Sequence, residues 1–339
     1  MNDSPSLTAY REAFLPALEA ALREAVTPWQ AHPAALLFEM VEHHFGWRDV
    51  QAKKGKRVRP FLLLLVHEAA GGRGLDALPA AVAVELVHNF SLIHDDIQDR
   101  SETRRGRPTV WSRWGKAQAI NAGDALFAQA FVVMAPLQEA FGPQRALEAM
   151  RVLAQACVAL VQGQVLDLAF ETRNEVTVDE YMTMIRGKTG ALLAAAAEMG
   201  ALLAGAEGAR REAFRRFGET LGLAFQVWDD YLGIWGDPEK TGKSVADDLI
   251  AGKKTLPVLY GLQHPESAFT RRWRQGPITP EEAPQVARDL AATGAQAFVR
   301  EQAERLTREA LAALDAAQPL PLPGEALKAL AQELLGRAM

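Results

Sequence analysis

Four segments of this chain are apolar around most of the surface that a helix would present: residues 61–66, 80–93, 191–203 and 220–228. A helix without a broad polar face is stable where other helices surround it. Elsewhere the chain is rich in Ala, Leu, Glu, Arg and Gln, which favour helices, and alternating runs of Val, Ile and Thr are nearly absent. The sequence therefore predicts an all-α fold.

Glycine and proline divide the chain into helices with short connections. The breaks lie at residues 71–74, 105–108, 141–143, 236–238 and 264–265. None of these connections is long enough to be a linker between domains. We therefore predict a single domain over residues 1–339, with a core that carries the motifs at 55–260 and a helical C-terminal part at 261–339.

Charge and cysteine content exclude several classes of protein. The chain has 37 Lys and Arg against 42 Asp and Glu, a net charge of −5, whereas nucleic-acid binding usually needs a basic surplus. Cys157 is the only cysteine, which rules out an intramolecular disulfide framework and fits a reducing compartment. Residues 1–15 lack the hydrophobic stretch of a secretory signal. These features predict a cytoplasmic protein that does not bind nucleic acid.

We expect no transmembrane segment. The most apolar stretch, residues 191–206, is interrupted by Glu198. It is also shorter than the roughly 20 apolar residues that a membrane-spanning helix needs. We interpret this stretch as a buried helix.

The apolar segment 80–93 leads into a cluster of carboxylates at Asp95, Asp96 and Asp99. Asp95 and Asp99 are four residues apart, so they share one face of a helix. Like charges at this spacing repel each other, and acidic residues at a helix C-terminus oppose the helix dipole. A cation should compensate them. Magnesium, which takes oxygen ligands from carboxylates and phosphates, is the natural candidate.

The segment 220–228 ends in the same way, at Asp229 and Asp230. Basic segments that contain glycine follow both acidic clusters. They are residues 104–107 after the first cluster, and 240–243 and 252–254 after the second. Carboxylates followed by Lys and Arg are typical of a site where metal ions bridge the protein to a diphosphate. Surface loops that balance nearby acids would also account for the basic segments.

Together these motifs make the chain resemble the trans-isoprenyl diphosphate synthases, the polyprenyl synthetase family, from Gly55 to roughly Leu259. The matching segments, in order, are GKRVRP (55–60), DDIQDRSETRRGRPT (95–109), KT (188–189), FQ (225–226) before DD (229–230), and GKKTLP (252–257). The resemblance implies an isoprenoid synthase fold, a bundle of roughly a dozen helices around a deep apolar cavity. It also implies an enzyme, a magnesium-dependent prenyltransferase.

The resemblance assigns ligands to residues of this chain. About three magnesium ions would hold the diphosphate of an allylic substrate. Their implied ligands, with Asp96 acting through a neighbouring ligand, are Asp95, Asp96, Asp99, Asp229 and Asp230. The implied allylic diphosphate contacts are Arg104, Lys188, Lys243 and Lys253. Isopentenyl diphosphate would bind without metal, and its implied contacts are Lys56, Arg59, His88 and Arg105.

The implied reaction begins when metal ions withdraw charge from the allylic diphosphate and its C–O bond breaks. The double bond of isopentenyl diphosphate then attacks the allylic cation, and the departing diphosphate takes the proton. Lys188, Thr189 and Gln226 are expected beside the cation, where carbonyl and side-chain dipoles stabilise positive charge. Asp95 and Asp229 complete the expected catalytic set.

One position departs from the family pattern. The second acidic motif reads Asp-Asp-Tyr-Leu-Gly, so Gly233 stands where a third Asp is expected. The two leading carboxylates remain, and we therefore expect activity to survive. The loss also keeps open a non-catalytic subunit that modifies a partner synthase.

The residues before Asp95 are expected to set product length. Phe90 and Ser91 precede Asp95 by five and four residues, and with Val87 they are expected to face roughly the same way as Asp95. In the family, aromatic residues at both positions go with C15 products and small residues with long chains. One aromatic residue, without the two-residue insertion of bacterial farnesyl enzymes, predicts a C20 geranylgeranyl product. A farnesyl or longer product is the alternative if residues from elsewhere reset the floor.

Two further points stay open in the sequence. A class I terpene cyclase shares the fold and the first acidic motif, although it would not need Lys56, Arg59 and Arg105 for a second diphosphate. The family is generally homodimeric, and the Ala- and Leu-rich residues 117–134 are the expected interface. The sequence does not indicate the preferred allylic starter.

Overall fold

The computed structural model describes residues 6–49, 55–236 and 246–336, and nearly all of their regular structure is helical. The longer helices are α1 (Leu7–Val26), α2 (Leu36–Phe45), α3 (Val58–Ala69), α4 (Leu78–Gln98), α6 (Lys116–Val132), α8 (Pro143–Thr172), α9 (Val178–Ile185), α10 (Ala191–Leu203), α11 (Gly208–Trp235), α15 (Ala283–Ala292), α16 (Ala295–Ala316) and α17 (Pro321–Gly336). The short ones are α5 (Val110–Trp114), α7 (Leu137–Phe141), α12 (Asp247–Ile250), α13 (Leu256–Leu262) and α14 (Ala268–Trp273). The predicted all-α fold is confirmed.

The chain divides into two compact units. Unit 1 comprises residues 1–154, 196–211 and 318–327. Unit 2 comprises residues 155–195, 212–317 and 328–339. The single domain expected over residues 1–339 stays a prediction.

Helix α4 lies at the centre of unit 1, where it packs against α1, α3 and α6. Residues 80–87 of α4 are buried in an unbroken run, and so are residues 60–67 of α3. Burial on every side is what the absence of a polar face predicts. The core of unit 1 therefore follows from the apolar segments of the sequence.

A two-stranded hairpin interrupts the helices of unit 1 after α4. Strand β1 (Thr103–Arg104) pairs antiparallel with β2 (Arg107–Pro108). Both residues of the turn have positive φ, 53° at Arg105 and 77° at Gly106, which is the backbone of a type I′ turn. The sequence analysis expected a break here but no strands, because two-residue strands leave no alternating pattern.

The C-terminal helices of unit 2 share a second hydrophobic cluster. Its members include Ile234, Leu249, Val258, Phe269 and Leu290, which are all fully or almost fully buried. This cluster draws together α11, α12, α13, α14 and α15. The end of α11, where the second acidic motif lies, is therefore fixed by packing.

Three described stretches are long and apolar enough to cross a membrane, judged by length and composition alone. They are Gly74–Gln98, Lys116–Phe141 and Pro143–Thr172. The stretch that was predicted to be too short, residues 191–206, contains the shorter helix α10 and lies outside these three. The absence of a transmembrane segment therefore stays a prediction.

Candidate active site

The first acidic motif occupies the C-terminal turn of α4. Asp99 caps the helix, and its backbone N–H donates to the Asp95 carbonyl at 2.8 Å. The Asp95 side chain is 18% exposed, and Asp99 is exposed. The structure thus brings the two carboxylates together, one turn apart, at the negative end of a helix dipole.

Asp96 has a different environment from its neighbours. Its side chain is 2% exposed, and its Oδ1 accepts a hydrogen bond from Arg104 Nε at 2.8 Å. Burial raises the pKa of the Asp96 carboxyl to about 6, although Arg104 opposes the rise. Its Oδ2 is buried and has no hydrogen-bond partner among the described residues. Asp96 therefore holds Arg104 beside the motif, in line with its expected indirect role.

The side chains of Arg104 and Arg107 in the hairpin contact different elements. Arg104 lies against the first motif, where its Nη2 is 3.5 Å from Asp95 Oδ2. Arg107 points to the C-terminus of α2, where Nη1 donates to the His43 carbonyl at 2.5 Å and Nη2 to the His44 carbonyl at 3.2 Å. Arg107 is therefore a helix cap that anchors the hairpin, while Arg104 remains beside the carboxylates.

Three of the residues predicted to bind isopentenyl diphosphate form a cationic cluster in unit 1. Arg59 Nη1 lies 3.3 Å from His88 Nε2. Burial holds the pKa of His88 well below its ordinary value, and Arg59 and Arg105 lower it further. Burial also lowers the pKa of Arg59 and Arg105, and both residues are partly buried. Partly buried cations around a neutral imidazole make a site for an anion.

Arg57 fixes the segment that carries this cluster. It has a positive φ of 52°, and its buried side chain donates to Glu19 Oε1 at 2.6 Å and to Glu85 Oε1 at 2.9 Å. A strained backbone of this kind persists where surrounding contacts determine it. Arg57 has no role in the expected ligand set, and its ion pairs with the buried Glu85 and the partly buried Glu19 identify it as the anchor of the segment. Lys56 is exposed beside it.

In unit 2, the Lys188–Thr189 motif lies in a π-helical turn, Arg186–Gly190, between α9 and α10. Such turns often mark functional sites. A Cβ at Gly163 of α8 would overlap the backbone N of Lys188, and one at Gly187 would lie 2.6 Å from the Ala159 carbonyl O. The backbones of α8 and the π-helical turn therefore touch, which requires glycine on both sides.

This close approach brings Lys188 to an acid that the sequence analysis did not find. Lys188 Nζ donates to Asp167 Oδ2 at 2.5 Å. Asp167 lies one turn after Gly163 on α8, with a side chain that is 37% exposed. The signal in the sequence was a glycine followed four residues later by an acid on one helix face.

A chain of hydrogen bonds joins the motif residues of unit 2. Thr189 Oγ1 donates to Gln226 Oε1 at 2.8 Å, and Gln226 Nε2 donates to Asp230 Oδ1 at 3.1 Å. On its other oxygen, Asp230 accepts the Tyr181 hydroxyl and the Leu256 backbone N–H, the latter at 3.0 Å. These bonds fix the direction of the Gln226 amide. Tyr181, on α9, is a member of the site that the sequence analysis missed.

The two acids of the second motif therefore differ. Asp230 is 3% exposed, and burial raises the pKa of its carboxyl to about 7 against the hydrogen bonds that it accepts. Asp229 is half-buried. Successive residues on a helix point about 100° apart, so one acid of the pair faces inward. Asp229 is the better placed of the two to reach a metal ion or a phosphate.

The segment after α12 is tied to both α8 and α11. Lys254 Nζ donates to the Phe170 and Glu171 carbonyls at 2.6 and 3.2 Å, capping the C-terminus of α8. Lys253, its neighbour, is exposed, as expected for a residue that grips a phosphate. Lys243 lies outside the described residues.

The acids of the first motif suit a magnesium ion that the protein and a substrate phosphate hold together. No group of three or more His, Cys, Asp or Glu side chains in the described ranges converges to hold a metal. Magnesium, however, is commonly held by one or two carboxylates together with substrate phosphates. Asp95 and Asp99 supply such a pair, and the buried Asp96 Oδ2 lacks a hydrogen-bond donor among the described residues.

Phe90 occupies a different side of α4 from the one expected. At about 100° per residue, Ser91 lies about 40° from Asp95 around the helix, whereas Phe90 lies about 140° away. The Phe90 ring packs 5.0 Å from the ring of Phe127 on α6. Val87 is fully buried. If Phe90 forms the floor of the product cavity, Phe127 therefore forms it as well. Phe127 was not among the residues predicted from the sequence.

Comparison with known proteins decides the family. The family model described as polyprenyl synthetase matches residues 46–289. The chain belongs to the polyprenyl synthetase family. Its predicted resemblance and fold class are thereby confirmed.

Relatives and structures agree on the family but not on the product. The chain is 49% identical over 237 residues to a (2E,6E)-farnesyl diphosphate synthase of Mycobacterium tuberculosis, a match that covers 68% of this chain and 65% of that protein. It is 42% identical over 267 residues to a geranylgeranyl diphosphate synthase of Methanosarcina mazei, covering 79% and 81% of the two chains. The crystal structure of a geranylgeranyl pyrophosphate synthetase from Pyrococcus horikoshii matches with a TM-score of 0.87 and 34% identity over 97% of each chain. The chain thus spans just under two thirds of the farnesyl relative's length.

Proposed function

We propose that this protein is a trans-prenyltransferase that condenses isopentenyl diphosphate with an allylic diphosphate to a short-chain product. The observation that carries the proposal is the pair Arg104 and Arg105 in one hairpin. Arg104 is bound to the acidic motif of α4. Arg105 belongs to the partly buried cationic cluster that contains Arg59 and His88. The hairpin turn of unit 1 therefore supports two modes of recognition. The allylic diphosphate binds with metal beside Arg104, and isopentenyl diphosphate binds without metal beside Arg105.

Isopentenyl diphosphate binds the cationic cluster. Arg59 and Arg105 form charge-assisted hydrogen bonds to the diphosphate, and Lys56 adds charge from the exposed side. Arg59 Nε is buried and has no hydrogen-bond partner among the described residues, so it has a donor left for an anion. His88 stays neutral and orients Arg59.

The allylic diphosphate binds the acidic motifs together with basic residues. Its ligands through magnesium are Asp95, Asp99 and Asp229, with Asp96 and Asp230 holding their neighbours in place. When bound, magnesium, about three ions by family resemblance, neutralises the diphosphate and makes it a better leaving group. The direct contacts proposed for the diphosphate are Arg104, Lys188, Lys243 and Lys253.

When the C–O bond of the allylic diphosphate breaks, its electron pair leaves with the diphosphate and an allylic cation remains. Dipoles of the protein stabilise this cation. Thr189 Oγ1 donates to Gln226 Oε1, and Gln226 Nε2 donates to Asp230, so this chain of bonds fixes the direction in which both oxygens turn their lone pairs. The π electrons of isopentenyl diphosphate form the new C–C bond. The proton lost from the adjacent carbon passes to the released diphosphate.

We propose a C20 product. Phe90 packs edge-on against Phe127, and Phe127 against Phe131 at 5.4 Å, so three aromatic rings form one block beside α4. Ser91 adds no bulk next to Phe90, because its hydroxyl turns back to the His88 carbonyl at 2.7 Å. Helix α4 therefore has one aromatic residue at these two positions, where the family's C15 enzymes have two. This difference supports a product longer than C15.

We also propose that the protein acts as a cytoplasmic homodimer. Val158, Val161 and Val165 of α8 are 59%, 50% and 60% exposed and form one stripe, since they are three and four residues apart. On α6, Ile120 and Phe127 are also exposed, within the expected interface 117–134. Exposed apolar stripes of this kind are typical of surfaces that a protein partner covers.

One incubation tests the proposal. The purified protein is mixed with isopentenyl diphosphate, magnesium and, separately, dimethylallyl, geranyl or farnesyl diphosphate, and product length is measured. A C20 product supports both the activity and the aromatic floor. A C15 or longer product keeps the enzyme and refutes the floor. Cyclised hydrocarbon without elongation indicates a terpene cyclase, and folded protein without turnover indicates a non-catalytic subunit.

A further inference from the structure

The hairpin that carries Arg104 and Arg105 is too small to hold its own shape. Its strands pair over two residues each, and Arg105, which is not glycine, has a φ of 53° in the turn. A two-stranded hairpin is at best marginally stable alone, and a strained backbone persists only where neighbouring contacts fix it. Contacts outside the hairpin must therefore set the positions of both arginines.

Helix α2 provides such contacts through a clasp on strand β2. Arg107 donates to the His43 and His44 carbonyls, with the Nη1 contact to His43 at 2.5 Å. In the opposite direction, His43 Nε2 lies 2.8 Å from the Pro108 carbonyl O, which can only accept, so Nε2 carries the proton and donates. We call His43, Arg107 and Pro108 the α2 clasp. One residue of α2 thus binds both residues of β2, once through its backbone and once through its side chain.

The end of α2 is shaped for this clasp. Gly46 ends the helix with a φ of 73°, and a Cβ there would lie 2.8 Å from Arg107 Nη2 and 2.9 Å from Nη1. Glycine therefore provides both the left-handed backbone and the space for the guanidinium group. The carbonyls at a helix C-terminus are also the negative end of the helix dipole, which favours a cation. Local geometry and charge both favour Arg107 at this position.

Contacts on its other side keep the His43 side chain in the orientation and protonation state that the clasp needs. Nδ1 lies 3.4 Å from Arg113 Nη1, which can only donate, so Nδ1 accepts and the imidazole is neutral. The ring also packs edge-on against Trp114, at 5.1 Å between ring centroids. Burial and the charges of Arg113 and Arg107 hold the pKa of His43 below its ordinary value, against the bond to Pro108. His43 therefore stays in the tautomer that donates to strand β2.

The turn of the hairpin carries the position of β2 to two places. Arg104 Nε donates to Asp96 beside the first acidic motif. The guanidinium group of Arg105 lies over Gly55, where a Cβ would be 2.9 Å from both of its terminal nitrogens. Both arginines lie within three residues of Arg107, so a shift of β2 moves both of them.

We propose that His43 is a positioning residue for both diphosphate sites. Through Pro108 and Arg107 it fixes the hairpin whose turn presents Arg104 to the allylic diphosphate and Arg105 to isopentenyl diphosphate. This role rests on the proposed function. Loss of the α2 clasp therefore weakens the binding of both substrates together, whereas a residue that serves one site affects one substrate.

Calorimetric titration tests the proposal by binding alone. The probes are isopentenyl diphosphate without magnesium and, separately, geranyl diphosphate with magnesium. His43→Phe keeps an aromatic ring against Trp114 and loses the donor, so both dissociation constants should rise by about 3- to 10-fold. His43→Gln should stay within about twofold of the parent chain, because its amide N–H can occupy the place of the Nε2–H. A purely structural role of the ring would give the opposite order.

Removing the other half of the clasp should have a larger effect. Arg107→Met loses two charge-assisted hydrogen bonds, so both dissociation constants should rise by about 10- to 100-fold. In turnover, the KM values of the two substrates should rise together. Arg271→Met is the matched control, because Arg271 is an exposed arginine of α14 that donates to the Glu266 carbonyl at 2.6 Å. Its dissociation constants should equal those of the parent chain.

The outcomes separate this inference from the proposed function. If the parent chain elongates and His43→Phe binds both probes like the parent chain, or changes the binding of only one, the proposal is overturned. If the parent chain binds neither probe and does not elongate, the proposed function fails. Hydrogen exchange of the backbone amides at 101–109 then decides whether the clasp holds the hairpin. Faster exchange in His43→Phe than in His43→Gln supports the clasp, and equal exchange in both variants and the parent chain overturns it.

Discussion

Removing one hydroxyl, that of Tyr181, tests whether buried hydrogen bonds align the proposed cation-stabilising groups. Tyr181→Phe deletes a donor to Asp230 Oδ2 and leaves the ring in place. The same oxygen keeps the Leu256 N–H at 3.0 Å, and Oδ1 keeps Gln226 at 3.1 Å. The variant thus weakens the support of Asp230 in the chain Asp230–Gln226–Thr189 and leaves the hydrogen bonds between Asp230, Gln226 and Thr189 in place.

The expected magnitude follows from the burial of the acceptor. Because burial raises the pKa of Asp230 to about 7, the measurement is made at about pH 8.5, where the carboxylate is charged. A hydrogen bond to a charged group contributes about 1.5–3 kcal/mol, and Asp230 is 3% exposed, so water does not replace the lost donor easily. At about 2 °C per kcal/mol, Tm should fall by about 3–6 °C. Tyr260→Phe is the matched control, because Tyr260 is a partly buried tyrosine of the same unit that stacks on Phe298.

Steady-state kinetics separate alignment from general loss of stability. We expect kcat to fall by about 10-fold, which corresponds to about 1.4 kcal/mol of transition-state stabilisation. Both KM values should stay within about twofold, because Tyr181 contacts neither proposed diphosphate site. The measurement is made well below the Tm of the variant. A fall in Tm with unchanged kcat would refute the alignment argument and leave Tyr181 a purely structural residue.

Three further predictions concern other parts of the chain. Arg59→Gln should raise KM for isopentenyl diphosphate by about 10- to 100-fold and leave KM for the allylic substrate unchanged; equal rises in both would contradict the assignment. His44 is buried, and burial holds its pKa well below the ordinary value, so the folded chain loses stability as pH falls through 6.5, where unfolded His44 binds a proton. The free energy of unfolding, measured with urea, should fall between about pH 7.5 and 5.5 by up to about 1.4 kcal/mol less in His44→Gln than in the parent chain. An equal fall in both proteins would be inconsistent with this cause. The parent chain should run as the proposed dimer, and Val161→Glu as a monomer, in size-exclusion chromatography with light scattering; a dimer that persists in the variant would show that α8 lies outside the interface.

The fold and the motif residues could be predicted because they leave local signals. The apolar runs that become α3, α4, α10 and α11 are continuous in sequence, and each acidic motif follows directly after one of them. The residues that contact the motif side chains from other helices leave no such signal. Asp167 and Tyr181 reach the motifs only because helices cross, and a crossing depends on small residues such as Gly163 and Gly187 whose partner cannot be read from one segment.

Product length was hard to predict for a related reason. Counting residues before Asp95 identifies Phe90, but the direction of its side chain depends on helix phase, and its contact depends on the residue that α6 presents. Phe127 lies in an unremarkable Ala-rich helix and carries no motif. The proposed floor involves residues of two helices, so a rule written for α4 alone leaves it incomplete.

The two acidic motifs repeat one physical arrangement, which explains why each begins with adjacent acids. In each pair the first acid is accessible and the second is buried: Asp95 before Asp96, and Asp229 before Asp230. Neighbours on a helix point about 100° apart, so one side chain can face the substrate while the other faces the protein. The buried acid then holds in place a residue that we propose to act in the reaction, Arg104 in the first motif and Gln226 in the second. An Asp→Asn change at the first acid should therefore weaken metal binding. The same change at the second should leave metal binding nearly intact and lower turnover, because a neutral amide holds its cationic or amide partner less firmly.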